Sequence, residues 1–198
     1  LSATANAAGK TYDASTTASV SLSGLSGLVG TETLGVSAAG SFDTKNAGTG
    51  KTVTVNSVAL QDGANGGLAS NYQLASGQTA TADIARATLS VSGSIAANKT
   101  YDGTSTAVIT TGTLSGFIGS ERVSASASGN FDSKNAGART ATAIYTLGDD
   151  SVSGGLSGGL AGNYTLSDKS LLSATIAPKA LSATANAAGK TYDASTTA

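Results

Sequence analysis

Apolar and polar residues alternate with a period of two along most of this chain. Leu1, Ala3, Ala5 and Ala7 are separated by polar neighbours. The same alternation returns at Val20 and Leu22, at Leu34, Val36 and Ala38, at Val53 and Val55, at Tyr72 and Leu74, and at Ala80, Ala82 and Ile84. Successive side chains of a strand point to opposite faces, so each run reads as a strand with one dry and one wet face. Gly- and Asn-rich clusters at 23–30, 45–50 and 62–67 separate the runs, and no stretch carries an apolar stripe at helical spacing. Asn56-Ser57 breaks the alternation between Val55 and Val58, which predicts a β-bulge. The stretch Ile84-Ala85-Arg86-Ala87-Thr88-Leu89 holds neither Gly nor Pro, so one strand should run almost directly into the next and make a short, stiff joint.

The alternation is itself repeated. Lys10-Thr11-Tyr12-Asp13 returns as Lys99-Thr100-Tyr101-Asp102 and as Lys190-Thr191-Tyr192-Asp193, each at the expected end of a first strand. Gly40-Ser41-Phe42-Asp43-Thr44-Lys45-Asn46-Ala47-Gly48 is matched by Gly129-Asn130-Phe131-Asp132-Ser133-Lys134-Asn135-Ala136-Gly137, and Tyr to Phe spans 30 residues both times. Asn71-Tyr72-Gln73-Leu74 is matched by Asn163-Tyr164-Thr165-Leu166, which follows a longer Gly-rich loop, 149–162. The chain therefore divides into a first unit, 1–88, a second, 89–180, and an opening strand and turn of a third, 181–198, identical to 1–18. The landmarks Tyr12, Tyr72, Tyr101 and Tyr164, with Phe42 and Phe131, are expected to be buried equivalently in the two units. Asp13 and Asp102 should accept from backbone amides to close a turn, and Asn46 and Asn135 should sit in another.

A unit of roughly 90 residues holding six or seven short alternating strands has the scale of a two-sheet sandwich. The expected fold is all-β: tandem immunoglobulin-like β-sandwich modules arranged end to end. A β-grasp-like module with one short helix over 25–31 is the alternative. A β-solenoid would need a repeat of about 20 to 30 residues.

Composition narrows the function classes. The 198 residues carry a formal net charge of −1 and no basic cluster, which argues against nucleic acid and anionic membrane as partners. No apolar run exceeds three residues, so no membrane insertion is expected. The absence of Cys and His removes thiolate nucleophiles, imidazole bases and soft metal ligands, so neither an enzyme nor a cofactor is expected. A chain free of cysteine and rich in Ser, Thr, Asn and Gly suits extracellular exposure. The start shows no charged segment followed by an apolar one, so a piece from the interior of a longer protein is expected.

The order Lys-Thr-Tyr-Asp-Gly, Gly-x-Phe-x-x-Lys-Asn-Ala-Gly, Asn-Tyr-x-Leu and a Thr-Ala-x-Ile exit resembles the YDG repeat of giant bacterial surface adhesins related to filamentous haemagglutinin. Tyr101-Asp102-Gly103 and Ala177-Pro178-Lys179 carry it in full in the second unit, whereas the first has Ala14 and Arg86 at those places. The resemblance implies a secreted stalk or fibre segment that projects or links adhesive domains in cell adhesion or a biofilm matrix. Its partners would be neighbouring repeats of the same protein, with self-association into a filament.

Other chemistry has simpler explanations. Asp62, Asp149 and Asp150 lack the spacing of a calcium loop and read as turn carboxylates. Lys45-Asn46 and Lys134-Asn135 hold the ingredients of an isopeptide bond, but adjacent strand residues face opposite ways, and a turn role is favoured. Asn98 and Asn163 lie in glycosylation sequons. The alternative function is a glycan- or protein-binding module over 145–162, for which Tyr145 and Phe117 are the free aromatics. Residues 181–198 are too few to form a core, so they are expected to pack on the second unit or on an adjacent chain.

Overall fold

The alternating runs form strands. In a computed structural model, which describes residues 1–150, 157–166 and 170–197, the first repeat contains β1 (Ser2–Ala7), β2 (Lys10–Thr11), β3 (Thr17–Ala18), β4 (Val20–Ser26), β5 (Leu34–Phe42), β6 (Gly48–Asp62) and β7 (Thr79–Ala85). The second repeat opens with β8 (Ala87–Ser92), β9 (Ile95–Ala96), β10 (Lys99–Thr100), β11 (Thr106–Ala107), β12 (Ile109–Thr110) and β13 (Thr113–Ser115). It closes with β14 (Glu121–Phe131), β15 (Gly137–Asp149), β16 (Ser157–Gly158), β17 (Tyr164–Leu166) and β18 (Ser170–Ala177). The fold is all-β. No helix forms over 25–31, and the helical turns among the described residues are 3-10 turns at Ala69–Asn71 and Ala161–Asn163.

Each repeat is built on one mixed sheet, β2-β7-β6-β5-β3 in the first and β10-β18-β15-β14-β11 in the second. The short strand bearing Lys and Thr lies parallel to the last strand both times, the remaining neighbours along these two paths are antiparallel, and β16 adds to β14 in parallel. Smaller ribbons flank the sheets: β1-β4 in the first repeat, β8-β13 and β9-β12 in the second. The break in alternation at Asn56 is a bulge, since Ala39 faces Ser57 and Gly40 faces Val55, leaving Asn56 unpaired. Asn56 Nδ2 instead donates to Ser41 Oγ at 2.9 Å. Only Arg86 separates β7 from β8.

The dry faces meet in one cluster that runs through both repeats, from Tyr12, Phe42, Val53 and Ile84 to Leu89, Val123, Tyr145, Tyr164 and Leu166. Burying a side chain the size of Val53, Ile84 or Leu89 contributes about 1.5–3 kcal/mol. A smaller cluster around Phe131, Ala141 and Ile176 fills the far side of the second repeat. The glycine ahead of each Phe landmark is a packing requirement: a Cβ at Gly40 would stand 2.7 Å from Thr54 O and from Val20 Cγ1, and one at Gly129 2.8 Å from Thr142 O and Ile109 Cγ1.

Residues 181–197 form no strand and are exposed throughout. The expectation that this segment packs on the second repeat is corrected, and the reason is topological. Residues 1–18 are held by β4, β7 and β5 of their own repeat, and the second repeat's strands are already paired with one another. The turn of 181–197 nevertheless survives, because that turn is local.

Candidate functional site

The recurring tetrapeptide folds around its lysine. Lys10 Nζ donates to Asp13 Oδ1 at 2.7 Å, Ser15 O at 2.8 Å and Ser15 Oγ at 3.0 Å, while Ser15 N donates to Asp13 Oδ1 at 2.9 Å. Lys99 holds Asp102 and Thr104 in the same way, and Lys190 holds Asp193 and Ser195. Lys10 also stands 5.5 Å from the centre of the Phe42 ring, and Lys99 5.7 Å from that of Phe131, so a cation–π contact ties the turn to the second landmark. Hydrogen bonds from Lys99 and Thr104 hold the Asp102 carboxyl down at about 2. The residue after each Asp is left-handed, with φ of 63° at Ala14, 82° at Gly103 and 56° at Ala194.

Tyr12, directly after β2, points out of its own sheet into the second repeat. Its hydroxyl donates to the Glu121 carboxylate, 2.8 Å from Oε1 and 2.9 Å from Oε2. Tyr164 OH reaches Glu121 Oε2 at 2.8 Å, and Lys45 Nζ reaches Oε1 at 2.9 Å. The Tyr12 and Tyr164 rings meet edge to face with centroids 5.6 Å apart, and Phe117 packs on the far side of Tyr164 at 6.0 Å. Alongside, Asn163 Oδ1 accepts from Ala47 N at 2.8 Å and Asn163 Nδ2 donates to Asn46 Oδ1 at 3.1 Å. The elements that position these groups are short and held by side-chain hydrogen bonds: Asp149 Oδ1 accepts from Ala161 N at 2.7 Å and holds the 3-10 turn ahead of Tyr164, as Asp62 does for Ala69 in the first repeat.

Glu121 is 6% exposed. Burial pushes its carboxyl up, but hydrogen bonds from Lys45, Tyr12 and Tyr164 outweigh that and hold it below the usual range, so it is a carboxylate at neutral pH. Burial and the facing Glu121 carboxylate push Tyr12 up to about 12; burial does the same to Tyr164, with Glu121 adding to it. Both hydroxyls stay protonated and can donate. The arrangement matches the Glu121 charge with Lys45 and the two hydroxyls with the carboxylate. It fastens one repeat to the next.

The tyrosines require a correction. Phe42 and Phe131 are both buried, but Tyr101 is 36% exposed where Tyr12 is 2%, and Tyr72 is half-buried where Tyr164 is 1% exposed. Tyr12 and Tyr164 owe their burial to each other across the junction, and Tyr101 and Tyr72 have no such neighbour. Asn135 is exposed, whereas Asn46 is half-buried. The sequence reading missed Glu121 and the bridging role of Lys45. A signal was present: the chain has two glutamates, Glu32 and Glu121, each 20 residues after the tyrosine of its repeat.

Of the alternative site, Tyr145 is buried within β15 and presents no open aromatic face, and residues 151–156 of loop 149–162 lie outside the described residues. Asn163 is buried at the junction, which leaves no room for a glycan on its amide. Among the described residues no group of three or more acidic or other metal-ligating side chains comes together.

A family model described as YDG domain matches residues 1–82 and again residues 85–171. Comparison with curated proteins gave no match, and neither did comparison with solved structures.

Proposed function

Because the chain belongs to the YDG-domain family, we propose that it is a structural spacer, a stalk or fibre segment of a surface adhesin that carries adhesive domains away from a cell. The single observation that carries this reading is the junction. A stalk must transmit orientation from module to module, and here a buried carboxylate holds two tyrosines and a lysine drawn from both repeats. The one-residue connection between β7 and β8 acts in the same sense. In this reading each repeat is a slim two-layer sandwich of immunoglobulin-like character, set end to end with its neighbour, exposed outside the cell and without catalysis of its own.

Small-angle X-ray scattering of the 198-residue chain and of Glu121→Ala tests it. The wild type is expected to scatter as one rigid two-repeat particle and the variant as a hinged pair. A wild type that scatters as two freely jointed bodies would sink the spacer reading.

A further inference from the structure

We propose that Asn65 is a site of spontaneous covalent modification, at which the first repeat converts its own asparagine through a cyclic imide into aspartate and isoaspartate and so unfastens the loop 62–67. The inference goes beyond the spacer reading and does not depend on it.

The chemistry needs a side-chain amide, a following backbone nitrogen free to attack it, and no side chain on that following residue to obstruct the approach. Asn65-Gly66 is the chain's one Asn-Gly pair. Asn65 is exposed at the tip of the turn that follows β6, with φ of 59° at Asn65 and 86° at Gly66. Gly67 N closes that turn on Ala64 O at 3.2 Å, and Gly66 N donates to nothing among the described residues. A left-handed asparagine at a solvent-facing tip closed by one backbone hydrogen bond opens locally at little cost. Other asparagines are placed differently. The nitrogen after Asn46 is Ala47 N, which donates to Asn163 Oδ1 at 2.8 Å, and the one after Asn71 is Tyr72 N, which donates to Ala69 O at 3.1 Å. Asn163 itself is buried.

The reaction balances with water as its only co-reactant. Gly66 N gives its proton to solvent and attacks Asn65 Cγ; the Cγ–Nδ2 bond breaks, and Nδ2 takes up a proton and leaves as ammonia. Water then adds to either carbonyl of the ring and breaks that carbonyl's bond to Gly66 N. Opening at Cγ leaves aspartate. Opening at the main-chain carbonyl leaves isoaspartate, whose backbone runs through the side chain and is one carbon longer.

The surrounding fold makes either product disruptive. Asn65 Nδ2 donates to Thr31 O at 3.0 Å, and a carboxylate in its place sets acceptor against acceptor. Glu32 lies beside the turn, with Oε1 4.0 Å from the position of a Cβ on Gly66, so the new negative charge meets a like one. A longer backbone finds no slack. Thr33 N donates to Ala64 O at 3.2 Å and Ala64 N to Thr33 Oγ1 at 2.8 Å, and a Cβ on Gly63 or on Gly67 would run into Thr33 O. Conversion therefore releases 62–67 from 31–33 and adds one negative charge to a formal net charge of −1. The corresponding loop of the second repeat, 149–162, holds no asparagine, so only the first repeat ages in this way.

Incubation of the purified 198-residue chain in mildly alkaline buffer, followed by intact mass and peptide mapping, tests this. Asn65 is expected to gain the mass difference between an amide and an acid, to split into aspartate and isoaspartate forms, and to lead Asn46 and Asn71 by at least an order of magnitude in rate. Asn65→Gln, whose longer side chain closes no such five-membered ring, should keep its amide. Asn65→Asp supplies one product at the outset. Its Thr33, Ala64 and Gly67 amides should exchange hydrogen about tenfold faster than in the wild type, with Ala47 at the junction unchanged. Conversion no faster at Asn65 than at Asn46, amide loss in Asn65→Gln equal to the wild type's, or wild-type exchange in Asn65→Asp would each overturn the proposal. None of these outcomes bears on the rigidity of the joint, so the spacer reading is tested separately.

Discussion

Tyr12 and Tyr101 follow the same three-residue path into the same turn, yet they live in different solvents. Tyr12 N donates to Ala85 O at 2.8 Å and Tyr101 N to Ala177 O at 2.8 Å, so the backbones agree. Their side chains do not: one is sealed against Glu121 and Tyr164, the other opens to water. The fold of a repeat therefore sets where the tyrosine points, and the neighbour sets whether it is buried. Phe42 and Phe131 show the contrary case, because both are covered from within their own repeat by β-strands and by the lysine above them. One pair belongs to the module and the other to the joint.

The sharpest way to break this comparison is to truncate both tyrosines. Tyr12→Ala should cost about 3–5 kcal/mol in denaturant unfolding, as for a buried aromatic, while Tyr101→Ala should cost about 1 kcal/mol or less. Equal losses would show that burial at the joint is not what distinguishes them. Next in size, Glu121→Ala removes the carboxylate that pairs with Lys45 and accepts from two buried hydroxyls, for about 3 kcal/mol, whereas Glu32→Ala, at a half-buried carboxylate that accepts from Tyr72, should cost about 1 kcal/mol.

The joint should also respond to pH on both sides. Glu121 is held below its usual value of 4.5, so its contribution is intact above pH 4.5 and fades as pH falls through the lowered value. Tyr12 and Tyr164 are raised from 10.0 to about 12, so their contribution is intact below pH 10.0 and fades as pH rises towards 12. At one shared carboxylate this alkaline loss should amount to about 2 kcal/mol. Thermal melts of the wild type and of Tyr12→Phe check it, since the variant lacks one of the titrating hydroxyls and should lose less on the alkaline side.

Inside the modules the two repeats should behave alike. Gly40→Ala and Gly129→Ala each press a Cβ against a backbone carbonyl and a branched side chain, and each should cost about 1–3 kcal/mol by chemical denaturation. The smallest effect is a gain. Ala14→Gly relieves a left-handed alanine and should stabilise by up to about 1 kcal/mol, and the same exchange of Gly103 to Ala should reverse the sign.

Strand content, the bulge at Asn56 and the direct passage from β7 to β8 were legible because each depends on residues a few positions apart. The aspartate turns were legible for the same reason. The lysine cage was half legible: base and acid were visible in Lys10 and Asp13, but their union around Ser15 was not. Glu121 was invisible to any local reading, since its first partner lies 109 residues away and its own neighbours give no sign of burial. Tyr72 and Tyr164 sit in matching sequence contexts, so nothing local could say that one is covered and the other is half open. Of the two places expected for 181–198, packing on the second repeat is not what residues 181–197 do, because strand pairing is non-local. Their sequence is that of a strand, and the strands that would complete it are not beside it.

The turn in that segment has a kinetic consequence. Lys190 closes on Asp193, Ser195 and Thr197 with no sheet to support it, at 2.8, 3.0 and 2.7 Å to Asp193 Oδ1, Ser195 O and Thr197 O. A contact closed over so few residues forms in well under a microsecond, long before a ladder between β1 and β4 or between β2 and β7 can zip. Each repeat therefore begins with a corner that can close before its strands pair, ready for β7 to join β2 and β6.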